Sequence, residues 1–489
     1  MSLRVALVVD VTPVPEWIAT LARRLTAPAF EVRLYIDDAA QAKPVVYRAY
    51  EWVDARIFGE PHDALAPAGD LEPVPVAKLH DCDVAVHLGA TDPRGLAGRT
   101  RYGAWTLTQS DLFWKMHGGM TYRTTLEAHL PGGECRVLCE SRGRPDRTSL
   151  RRSRNQAYWK AVGAIARALQ RLDDEGNAYL ESRPQRPGAA TERDERPGSA
   201  TVLRHAAKVS LGVLGRRLRK LGWREEWFVA ARPFGSRDPF RRLDADRGAD
   251  LADPFAVEQD GKTYVFFERL EHGASRATIA CTRLDDGGRA AGAVVTVLAP
   301  DYHVSYPFVF RRGAEVYMIP ESLEHAAVDL WRATDFPSGW VLEARLLGDI
   351  RAVDATLLDD GSRLWLFLNA AEPGASVNEE LHLYTSAALE GPWVPHRENP
   401  VVSDVGRARP AGRIFRRNGS LIRPSQDCSS GYGRAVVLNR IDTLTPTDYR
   451  ETPIARIEPD WAPGLLGTHT YDSTDRFEIV DGFRLARRW

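Results

Sequence analysis

The sequence has few cysteines, and their spacing excludes the usual metal and redox motifs. The five cysteines lie at positions 82, 135, 139, 281 and 428. Their number is odd, and no two of them form a C-x-x-C pair. Cys135 and Cys139 are close together, but no His or Cys partners complete a zinc set around them. We therefore predict buried free thiols and no metal site. Free thiols indicate a reducing compartment, since disulfides persist mainly in secreted proteins.

Long apolar runs and an excess of charge are also absent. The apolar run Val5–Val9 is stopped by Asp10, which makes it too short for a signal peptide or a membrane span. The formal net charge is −1, so no global field attracts nucleic acid or an anionic membrane. We expect a cytoplasmic protein that has no nucleic-acid partner.

A chain of 489 residues is too long to fold around one hydrophobic core. Changes in composition along the chain predict a multidomain protein with three parts. Residues 1–180 form an α/β domain, residues 181–223 form a linker and a basic helix, and residues 224–489 form an all-β domain.

The N-terminal part is predicted to be a doubly wound α/β sheet, because strands alternate with helices. No G-x-G-x-x-G motif follows the first strand, so a dinucleotide site of that type is not expected, and no cofactor is predicted. The predicted strands are Leu3–Val9, Phe30–Ile36, Cys82–Leu88, Tyr102–Thr108 and Gly133–Glu140. The predicted helices are Trp17–Leu25 and the amphipathic Arg154–Leu172.

This order of elements, with Asp146–Leu150 leading into Arg154–Lys160, resembles the formyltransferase-like fold of methionyl-tRNA formyltransferase relatives. The resemblance implies an Asn-His-Asp set, with its histidine in a loop of the H-S-L-L-P type. The corresponding segment here, Tyr102–Asp111, has no such loop, and formyl transfer needs a base and an oxyanion stabiliser beside the amine. We therefore expect a degenerate domain, in which His87 and His117 either stand in for the base or are ordinary structural histidines.

The segment between the two domains changes character along its length. Proline, glycine and mixed charge predict an extended or disordered connector over residues 181–200. In the basic helix Leu203–Leu221 that follows, two interpretations stay open: a bridge between domains with a solvated basic face, or a peripheral contact with an anionic membrane. Its apolar residues include Val209, Leu211, Val213, Leu214 and Leu218, and its basic residues are Arg204, Lys208, Arg216, Arg217, Arg219 and Lys220.

A strand–turn–strand pattern recurs along the C-terminal part of the chain. Its first copy, Asp253–Glu268, places Asp260-Gly261 at a tight turn, where a positive φ is tolerated. Further copies begin at Tyr306, Asp354, Ala411 and Asp475. A repeat of about 50 residues predicts a β-propeller, and five copies predict five blades. We expect Trp227–Ala231 to pair with the last copy and close the ring.

Several copies carry a polar residue at the equivalent innermost position, beside the central channel of a propeller. These residues are Asp253, Tyr306 and Asp354, with Arg409 and His469 by weaker alignment, and Glu321 ends the second strand of blade two. A crowded axis favours small or apolar residues, so the carboxylates indicate a site. Glycosidic chemistry requires two carboxyl groups that flank the bond, about 6.5–9.5 Å apart for inversion and about 5–5.5 Å for retention.

The opening of blade one, Asp253-Pro254-Phe255, with an Asp at the start of blade three, is similar to the five-bladed glycoside hydrolases of the family 43, 32 and 68 type. Four segments more closely resemble the N-terminal propeller of plant glucosamine inositolphosphorylceramide transferases and its bacterial relatives. The resemblance implies inverting chemistry, with Asp253 as base, Asp354 as modulator of the acid and Glu321 as general acid. The four segments are Tyr306–Phe308, Ile319–Ser322, Val353–Thr356 and Arg423–Cys428.

Further residues are candidates for binding a carbohydrate or glycoconjugate substrate. Arg423, Gln426 and Asp427 would contact sugar hydroxyls or a phosphate, and His303, Tyr306, Trp365 and His469 would line the pocket. Structural alternatives stay open, since the first three also suit a strand–turn salt bridge and aromatics often pack between blades. Asp253 also suits a strand cap before Pro254, and Glu321 an ion pair with Arg311 or Arg332.

Three functions are compatible with these residues. The first, which we predict, is a carbohydrate-active enzyme that hydrolyses or transfers a glycosyl group in the propeller. The second is a non-catalytic sugar-binding or scaffold protein. The third is a formyl or acyl transferase that acts on an amino sugar through the N-terminal domain.

Overall fold

The structure is a computed structural model that describes residues 2–26, 30–37, 44–69, 71–89, 94–186 and 197–488. The chain divides into two compact units, Met1–Gly215 with Glu372–Ser376 and Arg216–Ala371 with Val377–Trp489. Half of the predicted connector, residues 187–196, lies outside the described residues. Across the described helices, none is both long enough and apolar enough to cross a membrane.

The N-terminal unit is built on a seven-stranded sheet of order β3-β2-β1-β4-β5-β6-β7. The first five strands of this order are parallel, while β6 and β7 are antiparallel to their neighbours. Central parallel strands are covered on both faces, which explains why β1 is a continuous apolar run. The strands are β1 (Arg4–Val9), β2 (Glu31–Ile36), β3 (Val74–Pro75), β4 (Val84–His87), β5 (Ala104–Gln109), β6 (Tyr122–His129) and β7 (Cys135–Gly143).

Seven α-helices are found in the part of the chain that the structure describes. The longest, α5, starts at Leu150 rather than at the predicted Arg154, because the Ser149 side chain caps it by accepting from the Arg152 amide at 3.1 Å. The α/β prediction is therefore confirmed as a mixed sheet, and likeness to formyltransferases stays a prediction. The helices are α1 (Glu16–Thr26), α2 (Val45–Ile57), α3 (Arg94–Ala97), α4 (Leu112–Gly118), α5 (Leu150–Glu175), α6 (Asn177–Ser182) and α7 (Ser199–Gly222).

The second unit is a five-bladed β-propeller, as predicted, with one antiparallel sheet in each blade. Blade one contains β10 (Ala249–Gln259), β11 (Lys262–Glu271), β12 (Thr278–Leu284) and β13 (Val295–Leu298). Blade two contains β14 (Ser305–Arg312), β15 (Glu315–Glu321), β16 (Val328–Asp335) and β17 (Gly339–Leu347). Blade three contains β18 (Ala352–Asp359), β19 (Leu364–Ala370), β20 (Glu380–Ser386), β21 (Val394–Pro395) and β22 (Val402–Ser403).

Blades four and five complete the ring. Blade four contains β23 (Phe415–Arg417), β24 (Ser420–Asp427), β25 (Ala435–Leu444) and β26 (Tyr449–Ile457). Blade five contains β8 (Trp223–Pro233), β9 (Arg241–Arg242), β27 (Leu465–Gly467), β28 (Tyr471–Ser473) and β29 (Phe477–Arg487). The predicted closure is confirmed, because β8 and β29 pair without interruption from Phe477↔Pro233 to Arg487↔Trp223.

The fifth copy of the sequence pattern differs from the prediction. In the copy that begins at Asp475, Asp481-Gly482 corresponds to the turn Asp260-Gly261 of the first copy, yet both residues lie in the middle of the single strand β29. The Asp481 carboxylate is buried there beside His469. Gly482 packs so closely that an added Cβ would lie 2.7 Å from the Trp461 ring. Local turn chemistry is therefore overridden by tertiary packing at this position.

The inner strands of blades one to three share one irregularity, a two-residue break in their pairing with the second strand. It contains Asp253, Tyr306 and Asp354, whose φ angles are 52°, 42° and 55°. Left-handed backbone is uncommon outside glycine and is often found at functional sites. The same bulge thus places the three predicted innermost residues at equivalent positions. Pairing stops and resumes at Ala252/Phe255, Ser305/Phe308 and Val353/Thr356.

Candidate functional site

Polar side chains from blades one and five form the Asp253 cluster, which consists of the buried Asp253, His469, Thr470 and Asp481 and the half-buried Glu268. Asp253 Oδ1 accepts a hydrogen bond of 2.7 Å from Thr470 Oγ1. The Asp253 amide donates to Asp481 Oδ2 at 3.1 Å. The Asp253 side chain therefore does not cap a strand, because its backbone lies in the bulge and its carboxylate reaches blade five.

His469 is the cation of this cluster. Its Nδ1 lies 2.5 Å from Asp481 Oδ2 and its Nε2 lies 3.8 Å from Asp253 Oδ1. Asp481 Oδ1 also accepts from the His469 and Thr470 amides, at 2.8 and 3.0 Å. Burial acts to lower the pKa of His469, but the two carboxylates outweigh it and raise this pKa to about 9. His469 is therefore an imidazolium at neutral pH, held between two carboxylates.

Glu268 is the protonated member of the cluster. Burial, and then the charge of Asp253, raise the pKa of Glu268 to about 8. Burial also raises the pKa of Asp253, to about 6, although His469 acts in the opposite direction. Glu268 Oε1 lies 3.6 Å from Nε2 of the predicted pocket residue His303, whose Nδ1 accepts from the Ala277 amide at 3.3 Å. At neutral pH the cluster thus holds a protonated Glu268 and an ionised Asp253.

A second group, the Asp354 cluster, consists of Glu321, Asp354, Asn378, Arg409 and Gln426. Arg409 donates to Asp354 through two nitrogens, with distances of 2.5 Å from Nε and 3.1 Å from Nη2. Arg409 Nη1 donates to Asn378 Oδ1 at 2.9 Å, and Gln426 Nε2 donates to Asp354 Oδ2 at 2.9 Å. Two-pronged contact between a guanidinium and a carboxylate fixes both groups in orientation. Arg409 therefore holds Asp354 rigidly within this cluster.

Glu321 shares this arginine with Asp354. Its Oε2 lies 3.4 Å from Arg409 Nη2, whereas Arg311 and Arg332 have other partners. Burial and then the charge of Asp354 raise the pKa of Glu321 well above its usual range, against the opposing effect of Arg409. Only 9% of the Glu321 side chain is exposed. Glu321 is therefore a nearly enclosed carboxyl group whose surroundings favour its protonated form.

Tyr432 contacts both clusters. The Arg409 guanidinium carbon lies 5.1 Å from the centre of the Tyr432 ring, and the His469 ring lies 5.3 Å from it, edge to face. Trp227 also packs against His469, with ring centres 4.4 Å apart, and its ring centre lies 6.5 Å from that of Tyr432. Tyr432 is 41% exposed even though its neighbours are buried. Its ring therefore offers a sugar-stacking surface beside the two carboxylate clusters.

The other predicted binding residues have structural partners. The Tyr306 hydroxyl accepts from the Gly412 amide at 2.7 Å and lies 2.9 Å from Thr356 Oγ1, which ties three blades together. Trp365 is buried among the side chains of blades three and four, and its Nε1 donates to Asp360 Oδ2 at 2.6 Å. Among the described residues, neither side chain forms a hydrogen bond with a member of the two clusters.

Arg423 and Asp427 also lie apart from the clusters. Arg423 is enclosed in an ion pair with Glu451, with both contacts at 2.8 Å, and donates to the carbonyl groups of Arg407 and Ala408. Asp427 pairs with Arg456 at 2.5 Å. The Arg423 contacts fix the backbone immediately before Arg409, so Arg423 positions the guanidinium that holds Asp354.

Besides the hydrogen-bonding partners Thr470 and Asn378, four members of the site were not among the predicted site residues. Glu268 could have been predicted from the repeat, because it occupies the same register position as Glu321. Glu268 pairs with Ala252 before the bulge of blade one, and Glu321 pairs with Ser305 before the bulge of blade two. The other three had weaker signals: Arg409 aligned poorly, Asp481 imitated a turn residue, and Tyr432 lies in a loop outside the repeat.

Two sets of side chains have the spacing of metal ligands. The ligand atoms of Asp253, His469 and Asp481 lie within 4.8 Å of one another, but His469 Nδ1 is already paired with Asp481 and its pKa is raised. In the N-terminal unit, Glu127, His129 and Cys135 have similar spacing, and Glu127 pairs with Arg186. A protonated imidazole or a bound guanidinium disfavours a cation, so both sets fit ion-paired groups better than metal sites.

The two histidines considered for the N-terminal unit lie in different surroundings. His87, at the end of β4, is buried with its Nε2 4.0 Å from Asp37 Oδ2. His117, on α4, places its Nδ1 3.4 Å from His205 Nδ1. Neither contact establishes a base next to an oxyanion stabiliser, and formyl transfer stays a prediction.

Comparisons with known proteins identify the propeller. Residues 244–460 match the family described as glucosamine inositolphosphorylceramide transferase 1, N-terminal. Over 207 residues the chain is 38% identical to the glucosamine inositolphosphorylceramide transferase 1 of Oryza sativa subsp. japonica, which is 42% of this chain and 28% of the relative. The relative of that name from Arabidopsis thaliana is 35% identical over 208 residues, or 42% of this chain and 27% of the relative. The resemblance expected from the sequence is confirmed for the propeller, which matches little more than a quarter of each relative.

Solved structures similar to this chain include glycoside hydrolases. Zg3597, a family 117 glycoside hydrolase of Zobellia galactanivorans, is 11% identical with a TM-score of 0.36, over 53% of this chain and 90% of that chain. CoXyl43, a family 43 β-xylosidase/α-arabinofuranosidase from a compost metagenome, is 13% identical with a TM-score of 0.35, over 52% of this chain and 94% of that chain.

Proposed function

We propose that the propeller belongs to a carbohydrate-active enzyme, which hydrolyses or transfers a glycosyl group between the Asp253 and Asp354 clusters. The observation that carries the proposal is a pair of nearly enclosed carboxyl groups, Glu321 and Asp253, each of which lies beside a different cation. The pKa of Glu321, beside Arg409, is raised by burial well above its usual range, whereas burial raises the pKa of Asp253, beside His469, only to about 6. Environments that separate the pKa values of two carboxyl groups are typical of an acid and a base that act together.

Glu321 is the general acid of this proposal. A group that donates a proton at neutral pH needs a raised pKa, and burial supplies it here. The bidentate Arg409–Asp354 pair keeps a negative charge next to Glu321, which favours the protonated form before reaction. Asp354 is therefore a positioning residue that modulates the acid, in the role implied by the sequence resemblance.

Asp253 is the general base. Its carboxylate keeps one hydrogen bond from Thr470, and the His469 imidazolium stabilises its charge. In the reaction, the oxygen of the attacking hydroxyl bonds to the anomeric carbon, and Asp253 takes the proton of that hydroxyl. The bond from that carbon to the leaving oxygen breaks, and the leaving oxygen takes the proton of Glu321. The attacking hydroxyl belongs to water in hydrolysis and to an acceptor in transfer.

A glycoconjugate is the proposed substrate class. The plant relatives are named for transfer to inositolphosphorylceramide, but the matched region is 28% of the rice protein, so only the carbohydrate class is carried over. A cytoplasmic location and inverting stereochemistry are part of the same proposal. They are supported by the free thiols and by the sequence resemblance.

The test is a mass-spectrometric turnover screen that offers activated aryl glycosides and nucleotide sugars to the full chain. Asp253→Asn and Glu321→Gln are each expected to lower turnover by about 10²–10⁴-fold, the usual size of a general acid or base contribution. Loss in both variants supports the acid–base pair.

Matched controls are available in the same two blades. Asp260→Asn changes another aspartate with a left-handed backbone (φ 50°), but at an exposed turn. Glu315→Gln changes the exposed glutamate at the opposite end of β15 from Glu321. Both controls should retain wild-type turnover. Unchanged turnover in Asp253→Asn and Glu321→Gln would refute the assignment, and sugar binding without any turnover would favour the scaffold function.

A further inference from the structure

Helix α7 is attached to the N-terminal unit by one face only. Val202 and His205 are its buried residues, and both lie in the first two turns. The His205 ring packs against Phe113 with ring centres 4.8 Å apart, and Lys208 Nζ donates to the His117 carbonyl at 3.1 Å. From residue 209 to residue 222 no side chain of the helix is buried. The second half of α7 therefore exposes most of its surface.

Five leucines form a stripe on this helix. At about 100° per residue they fall within an arc of about 80°, on the side opposite Val202 and His205. Each of them is between 53% and 69% exposed. Isolated exposed leucines are ordinary, but a continuous row marks an interaction surface. The Leu stripe consists of Leu203, Leu211, Leu214, Leu218 and Leu221.

The charges around the Leu stripe are all of one sign. The helix contains six basic residues and no aspartate or glutamate. Arg216, Arg217, Arg219 and Lys220 are exposed, and none of them forms an ion pair with any residue that the structure describes. Long basic side chains can extend from the edges of an apolar stripe to reach anionic groups at a lipid–water interface.

We propose that the Leu stripe of α7 is a peripheral docking surface for an anionic lipid bilayer. A helix with an apolar stripe and a purely basic polar face lies in the plane of such a membrane, with its leucines between the lipid headgroups. Anionic headgroups neutralise the unpaired arginines and lysine, which explains why no acidic residue is interspersed. A second copy of the chain would bring two sets of positive charges together, so charge complementarity favours lipid.

Vesicle co-sedimentation of the full chain tests this proposal. The wild type should bind phosphatidylcholine vesicles that contain phosphatidylglycerol and should not bind vesicles of phosphatidylcholine alone. The double variant Leu214→Glu/Leu218→Glu should lose at least about tenfold in affinity for anionic vesicles, because two apolar anchors are removed and two repulsive charges added. The double variant Arg216→Glu/Arg217→Glu should lose the preference for anionic lipid.

The matched control is Leu466→Glu, at a leucine in blade five that is also exposed. It should bind as the wild type does. Equal binding by all variants would overturn the proposal. So would a dimer of the wild type that Leu214→Glu/Leu218→Glu dissociates without any vesicle binding, since a second copy would then occupy the stripe. Turnover of a soluble sugar donor should be unchanged in the leucine variants, which separates this proposal from the proposed glycosyl chemistry.

Discussion

The Asp253 and Asp354 clusters reach charge balance by different means. Each contains buried carboxyl groups around one cation, but the cation is His469 in the first and Arg409 in the second. A guanidinium stays charged at every pH relevant to proteins, whereas an imidazolium can lose its proton. The cation of the Asp354 cluster is therefore fixed in charge, while the cation of the Asp253 cluster can titrate. A base that must change protonation during a reaction suits the Asp253 cluster.

The largest effect is expected when the fixed cation is removed. Arg409→Met keeps most of the side-chain volume but leaves Asp354 buried with Gln426 as its main polar partner. Removing one partner of a buried ion pair costs about 3–5 kcal/mol, because the remaining charge is uncompensated. We expect that loss in the free energy of unfolding of the propeller, measured by urea denaturation.

Arg440→Met is the matched control for this prediction. Arg440 pairs with Asp442 at the surface, where the two side chains are 46% and 30% exposed. Exposed pairs contribute about 0–1 kcal/mol, so this variant should be nearly as stable as the wild type. Equal stability of Arg409→Met and Arg440→Met would show that Arg409 does not supply the fixed charge on which the buried Asp354 depends.

The repeat explains which parts of this comparison the sequence could predict. Asp253, Glu321 and Asp354 lie at positions set by strand register, and register is visible as alternation around turns such as Asp260-Gly261. The propeller and its closure follow from the same pattern. Ion pairs between residues that are distant in the sequence produce no such pattern in it. The Arg423–Glu451 ion pair joins residues on β24 and β26, and from the sequence Arg423 resembled a ligand-binding residue.

His469 provides the next test, through the pH dependence of stability. Its pKa rises from an ordinary 6.5 to about 9 on folding, so the folded state binds the proton more tightly. The resulting stability, about 3 kcal/mol by linkage, is fully present below pH 6.5 and is lost as the pH rises towards 9. Unfolding free energies measured between pH 6 and 9.5 should therefore fall with pH.

The variant His469→Gln isolates this contribution. A neutral glutamine can still donate to Asp481 but cannot titrate, so the decline above pH 7 should flatten. The pKa of Glu268 is raised to about 8, so Glu268 also makes the unfolding free energy fall with pH, but over a lower pH range. That part of the decline should remain in the variant. An unchanged slope in His469→Gln would mean that the imidazolium is not the cation of the Asp253 cluster.

Glu268 and Glu321 are equivalent in strand register but differ in their partners, and Glu268→Gln exploits that difference. Glu268 is assigned no proton transfer in the proposed reaction, so this variant should lower kcat less than about tenfold, against about 10²–10⁴-fold for Glu321→Gln. The pH profile should shift as well, because Glu268 and Asp253 interact electrostatically. A larger loss of kcat in Glu268→Gln than in Glu321→Gln would exchange the roles of the two glutamates.

The smallest effect is expected at Tyr432, which contacts the cations of both clusters. An aromatic face contributes about 0.5–1.5 kcal/mol beyond its buried area when it stacks on a partner. Tyr432→Ala should therefore raise KM up to about tenfold with little change in kcat, and Tyr432→Phe, which keeps the ring, should restore KM. If Tyr432→Ala lowers kcat instead, the ring orients Arg409 and His469 rather than the sugar. The two clusters would then be coupled through Tyr432 and would not act as independent environments.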